Sequence, residues 1–228
     1  MTSLRRLSMI LVALGLSACV SANDPATRGT PMTGDFLAAT SQSTGTPVDP
    51  AAVYMVAQYD VEAIRVTVPR TLKVSEANTF KPRADIVWRG EPRGDRHLQV
   101  ARIFEDAMAT GTSGMQKGRM VDIEVQVTRF HALTEKTRYT IGGVHEMRFL
   151  LTVRDVATGA VLDGPREVVA DVKAAGGSAA IAEDQAGRTQ RVVTVERLAQ
   201  VIRRELSAPA SQEMIVSRLA TPVELVTE

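Results

Sequence analysis

The 228-residue chain carries 27 lysines and arginines against 26 aspartates and glutamates, a formal net charge of +1. It therefore has no excess of cations with which to hold nucleic acid non-specifically. Its 44% apolar content is that of an ordinary globular domain, and its single cysteine excludes a disulfide within the chain.

Arg5 and Arg6 open the chain, the apolar run Met9–Gly15 follows, and Leu16-Ser17-Ala18-Cys19 closes it. A short positive segment, a short apolar segment and small residues are the ordered parts of a secretory signal peptide. The run falls short of the roughly 20 apolar residues that span a bilayer, and no later stretch approaches that length. Leu16–Cys19 resembles the bacterial lipobox, which implies acylation of the Cys19 thiol, cleavage before Cys19 and acylation of the freed amine. The thiolate is the nucleophile such a transfer needs, and two acyl chains already anchor a protein stably. A plain secretory signal cut after Ala18 is the alternative, and it would leave a lone exposed thiol. Losing residues 1–18 removes two arginines and no acid, which turns the net charge from +1 to −1. Val20 stands where an Asp would signal inner-membrane retention, so the expected location is the periplasm-facing envelope, with the outer membrane favoured over the inner.

Residues 19–50 are rich in Ala, Ser, Thr, Gly and Pro. Such a segment cannot bury enough apolar surface to offset its ordering entropy, and reads as a flexible tether. It would reach about 30 Å root-mean-square as a coil. Asp49-Pro50 has the form of a helix start. The expected globular domain covers 51–207 and a C-terminal tail 208–228. Within the domain, Ile64, Val66 and Val68 alternate with Arg65 and Thr67, which predicts a strand over Ala63–Val68 that Pro69 stops. Leu72–Val74 reads as a short extension and Asp85–Arg89 as a second strand, with Trp88 in the core. Asp95 is placed to cap a helix over Arg96–Thr110, where Val100, Ile103, Phe104, Ala107 and Met108 form one stripe and Gly111 marks the end.

Val121, Ile123, Val125 and Val127 alternate with polar residues, predicting a half-buried antiparallel strand with a bulge near Arg129-Phe130. A strand over Thr140–Val153, bent at Gly142-Gly143, turns at Asp155–Gly159 into a return strand over Val161–Lys173. Ala174–Gly187 reads as a small-residue loop, and Thr194–Leu206 as a second amphipathic helix that ends before Pro209. The pattern indicates an α+β fold: a mostly antiparallel sheet of about five strands, two helices packed on one face, and a more polar opposite face.

Three histidines, His97, His131 and His145, exist, and none has the i, i+4 spacing of a zinc-binding pair. His131 and His145 could approach each other across neighbouring strands, though each reads better as a hydrogen-bonded structural residue. Arg89–Arg96 packs five charges around a helix start. It could receive an anion, but a turn with internal ion pairs is the favoured reading. Gly142-Gly143 and Gly176-Gly177 form no nucleotide fingerprint, and no Gly-x-Ser-x-Gly elbow is present. No cofactor, metal or catalytic residue is assigned; Cys19 is the one residue with a chemical role.

The segments Asp85-Ile86-Val87-Trp88-Arg89-Gly90, Arg129-Phe130-His131-Ala132-Leu133-Thr134-Glu135 and Gly142-Gly143-Val144-His145 resemble a family of alphaproteobacterial lipoproteins of unknown function. The resemblance runs from about Val61 to Leu206 and implies a shared fold, with no activity to carry over. In architecture alone, a lipobox, a tether and an α+β body are similar to auxiliary lipoproteins of envelope transport systems. The expected function is a non-enzymatic envelope component, held to the membrane through Cys19 and bound to an envelope protein. The alternatives are a small-ligand or lipid-binding module and a cell-wall hydrolase.

Overall fold

The computed structural model describes residues 54–210. The signal peptide, Cys19, the tether, the helix start at Asp49-Pro50 and the tail beyond Ala210 lie outside the described residues. The described chain opens with two strands, β1 (Met55–Ala57) and β2 (Tyr59–Thr67). The short strand β3 (Ile86–Val87) leads to the helix α1 (Arg96–Thr112) and the long strand β4 (Arg119–His131). A one-turn helix α2 (Glu135–Arg138) precedes β5 (Gly143–Asp155), β6 (Val161–Val169) and β7 (Val172–Ala174). The helices α3 (Gly177–Gln185) and α4 (Gln190–Glu205) and the strand β8 (Ser207–Pro209) complete it.

The fold is α+β, as the alternating pattern requires, with a six-stranded mixed sheet and a separate two-stranded ribbon. β4 lies at its centre. One edge pairs antiparallel with β5, and the other carries β2 and then β3 in parallel. The far edge of β5 carries β6 and β7, both antiparallel. Period-two alternation sends Val121, Ile123, Val125 and Val127 into the core. A register shift between Val127 and Arg129 then returns Phe130 to the same face, which is the bulge expected there.

The stripes of α1 and α4 close that face. Val100, Ile103, Phe104, Ala107 and Met108 meet Leu198, Val201 and Ile202 in one cluster with the sheet's apolar side. Phe104 sits edge-on to Phe130 (6.1 Å) and Phe149 (5.7 Å), and Trp88 edge-on to Phe130 (5.6 Å). Each such ring contributes about 1.5–3 kcal/mol through burial alone. The opposite face is polar and laced with ion pairs, among them Arg65–Asp122 (3.0 Å) and Arg154–Glu124 (3.3 Å).

Several local expectations are corrected. Gly111 lies inside α1 rather than ending it; a Cβ there would stand 2.3 Å from Ile202 Cγ2, so this glycine is what lets α4 approach. The predicted loop 174–187 holds α3, an alanine-rich helix that shows no stripe because only Ala180 is buried. β5 starts at Gly143, because 135–142 form α2 and a turn in which Gly142 adopts φ +70°. The return strand breaks at Ala170-Asp171, where the Asp171 carboxylate accepts the Met147 N–H (2.9 Å). α4 starts at Gln190, four residues earlier than expected, on the Thr189 cap. Leu72–Val74 forms no strand; Val74 makes one isolated bridge to Ile86. β8 continues the ordered chain past Leu206, pairing with β1.

Candidate functional site

Cys19 lies outside the described residues, so the body shows only how its chain is led in and out. β1 and β8 pair antiparallel, Gln58 N–H donates to Leu206 O (3.1 Å), and Ala210 N–H donates to Tyr54 O (2.6 Å). The chain therefore enters at Tyr54 and leaves at Ala210 side by side, at the end of the sheet where β4 starts. Two charged clefts and β3 lie toward the other end of β4, about 30 Å away along the strand.

The first cleft is the turn singled out in the sequence. It encloses about 320 Å³ between Glu76, Arg89, Glu91, Arg93, Arg96 and Glu135. Arg96, nearly buried, makes a forked contact with Glu76 (2.6 and 3.0 Å) and donates to the Glu91 and Pro92 carbonyls and to Gln99. Arg89 pairs with Glu135 and donates to the Glu76 carbonyl (2.8 Å). Glu91 is engaged by Arg191 from α4. The hydrogen bond from Arg96 holds the Glu76 carboxyl below the usual range. Three arginines face three carboxylates, and the N-terminus of α1 is occupied by its own cap, Asp95, which accepts from Leu98 N–H (3.1 Å) and from Arg70. The expected internal ion pairs are not what holds this turn: its charged residues pair outward, with Glu76, Glu135, Arg191 and Arg70.

The second cleft was not singled out. It encloses about 510 Å³ and is lined by Lys73, Lys81, Pro82, Arg83, Ala84, Asp85 and Arg129. Its base is pinned by Lys73 N–H donating to Asp85 Oδ2 (2.8 Å) and by Asp85 and Ile86 N–H donating to Lys73 O (2.9 Å each). Its floor is tied down by His131 Nε2 against Pro82 O (2.9 Å) and Arg129 Nη1 donating to Ala84 O (3.3 Å). Lys81 and Arg129 share Glu146, at 2.7 and 2.8 Å. Burial works against ionisation of that carboxyl, but these two hydrogen bonds outweigh it and hold its pKa low. Lys73 and Arg83 have no carboxylate partner among the described residues. The four cations come from positions spread over 57 residues of sequence, and only the topology gathers them.

The structure does not bring His131 and His145 together. His131 is paired with Glu146 across β4 and β5, so the next residue, His145, points to the opposite face. His145 is fully buried; its Nδ1 accepts from Leu133 N–H (3.3 Å), which puts the proton of the neutral ring on Nε2. Burial first, and the charge of Arg138 second, push its pKa down to about 4. Arg138 is itself buried and held by Asp184 of α3 (2.9 Å). His97 Nε2 contacts Leu72 O (3.1 Å). Among the described residues no three His, Cys, Asp or Glu side chains gather as metal ligands, and no helix is long and apolar enough to cross a membrane.

No curated protein sequence matches the chain. Among solved structures it is similar to a candidate lipoprotein from Caulobacter crescentus CB15 at 14% identity, covering 63% of this chain and 86% of that one, with a TM-score of 0.28. A DUF330-family protein from Xanthomonas campestris is 12% identical over 75% of this chain and 91% of its own, with a TM-score of 0.37. A dodecameric PelC variant from Paraburkholderia phytofirmans is 15% identical over 68% and 98%, with a TM-score of 0.32. Residues 59–221 match a protein family from the first strand of the sheet to beyond the last helix, and the chain belongs to that family, a family of unknown function (DUF6778).

Proposed function

We propose that the protein is a lipid-anchored component of an alphaproteobacterial cell envelope, cleaved before Cys19 and acylated there, whose body faces the periplasm and acts by binding an envelope partner. The observation that carries this reading is the N-terminus itself: Arg5-Arg6, a short apolar run and Leu16-Ser17-Ala18-Cys19 in that order. The body is consistent with it. The first and last described residues, Tyr54 and Ala210, lie together at one end of the sheet, and the charged clefts lie toward the other. A binding role is favoured over a hydrolytic one because the histidines a hydrolase would draw on are committed elsewhere. His145 is buried and neutral at pH 7, and His131 is tied to the Pro82 carbonyl. With Val20 after Cys19, the outer membrane is the proposed location.

Replacing Cys19 by Ala tests the anchor. The wild-type protein is expected to fractionate with membranes and the variant with the soluble periplasm; a variant that stays as membrane-bound as wild type contradicts the reading. Crosslinking of the wild-type protein in intact cells, read by mass spectrometry, tests the partner: a reproducible envelope protein is expected, and recovery of the protein uncrosslinked counts against it. The second reading, a small-ligand module, is favoured by one observation only, the cation-lined cleft around Lys73 and Arg83.

A further inference from the structure

The two clefts differ in one respect that decides what each can hold. Around Arg89, Arg93 and Arg96 stand three carboxylates, Glu76, Glu91 and Glu135, and Arg191, which engages Glu91 from outside, is itself matched by Asp106, so the local charge is balanced. Among the described residues, only Asp85 and, behind the lining, Glu146 stand around Lys73, Lys81, Arg83 and Arg129. The second cleft therefore keeps an excess of two positive charges. Neither carboxylate makes an ion pair with the Lys73 or Arg83 side chain: Asp85 accepts the Lys73 backbone N–H, and Glu146 bridges Lys81 and Arg129.

We propose that this cleft binds a phosphate group, with Lys73 and Arg83 as its direct contacts and Lys81 and Arg129 supplying field from behind. A phosphate monoester carries about −1.5 to −2 charge at pH 7 and so matches the excess, whereas one carboxylate would leave half of it unmet. The arginine fork suits adjacent phosphate oxygens and the lysine acts as a point charge. The frame is set before any ligand arrives, because the residues flanking the two cations are tied together at Lys73, Asp85 and Ile86 and again at Ala84 and Arg129. Bringing an anion in therefore orders two side chains and no backbone, which limits the entropic cost. The volume, about 510 Å³, exceeds a bare phosphate and leaves room for the group it esterifies. The proposal stands independently of the anchor, since it uses only the folded body.

The test is titration of the purified full chain with inorganic phosphate and, separately, with glycerophosphoglycerol, the water-soluble headgroup of phosphatidylglycerol, followed by calorimetry. Binding is expected to weaken as salt rises. Lys73→Gln and Arg83→Gln should each lower affinity about fivefold, as loss of one exposed charge contact implies. Arg93→Gln, in the balanced cleft, should leave affinity unchanged. Tighter binding of inorganic phosphate assigns the site to a phosphate monoester, and tighter binding of the diester, which carries a single negative charge, contradicts the charge match on which the proposal rests. No saturable binding of either at about 20 mM, which corresponds to a contribution weaker than roughly 2.3 kcal/mol, overturns the proposal. Binding that both Gln variants retain at full strength overturns it equally. All three substituted side chains are exposed, and an unchanged melting temperature confirms that each variant is folded.

Discussion

The two clefts are built from similar residues, a few lysines and arginines on a turn, yet one is closed to anions and the other open. The difference lies in what folding delivers to them. Arg89 and Arg96 meet Glu76 from the preceding loop and Glu135 from the start of α2, 46 residues after Arg89. Burial works against ionisation of the Glu135 carboxyl, but the hydrogen bonds from Arg89 and from its own backbone N–H, with the charges of Arg89 and Arg96, together outweigh it and hold its pKa low. Arg83 and Lys73 meet no such delivery among the described residues. The lesson is that a basic turn is a binding site only when the fold fails to neutralise it.

A buried group without a carboxylate of its own sharpens the contrast most. His145 has a folded pKa of about 4, below the 6.5 of an exposed imidazole, so the unfolded chain binds the proton more readily. Its contribution to stability is fully present above pH 6.5 and is lost as pH falls from there to about 4, by roughly 3 kcal/mol. Denaturant unfolding across that range should show the fall. His145→Asn, which keeps an acceptor for the Leu133 N–H and removes the titration, should flatten the slope.

Glu76→Gln breaks the comparison from the other side. It leaves the nearly buried Arg96 without its carboxylate and should cost about 2 kcal/mol in urea unfolding. It also gives the first cleft an excess of one positive charge, so weak phosphate binding should appear where wild type shows none. Lys73→Gln and Arg83→Gln should do the reverse, reducing ligand affinity while moving stability by no more than about 0.5 kcal/mol. Arg93→Gln should change neither quantity measurably, and serves as the baseline.

What was legible in the sequence follows from how local each signal is. The stripe of α1, the alternation of β4, its bulge after Val127 and the β5–β6 hairpin at Asp155–Gly159 are all written within a dozen residues. The parallel pairing of β2 and β3 with β4 was not, because alternation records which face is buried and not which way a neighbour runs. α3 was hidden by the Gly176-Gly177 pair at its start and by its lack of an apolar stripe. The balanced turn was found because its charges are contiguous, while the phosphate cleft was missed because Lys73, Arg83 and Arg129 are far apart in the chain. Cys19 is legible as a motif, and its role rests on that motif alone.

That role is the central claim, and the mass of the native protein tests it directly. Protein extracted from membranes and analysed intact should begin at Cys19, with a blocked amine and the added mass of a diacylglyceryl group and one further acyl chain. A chain that begins elsewhere, or that begins at Cys19 with a free thiol, contradicts the account.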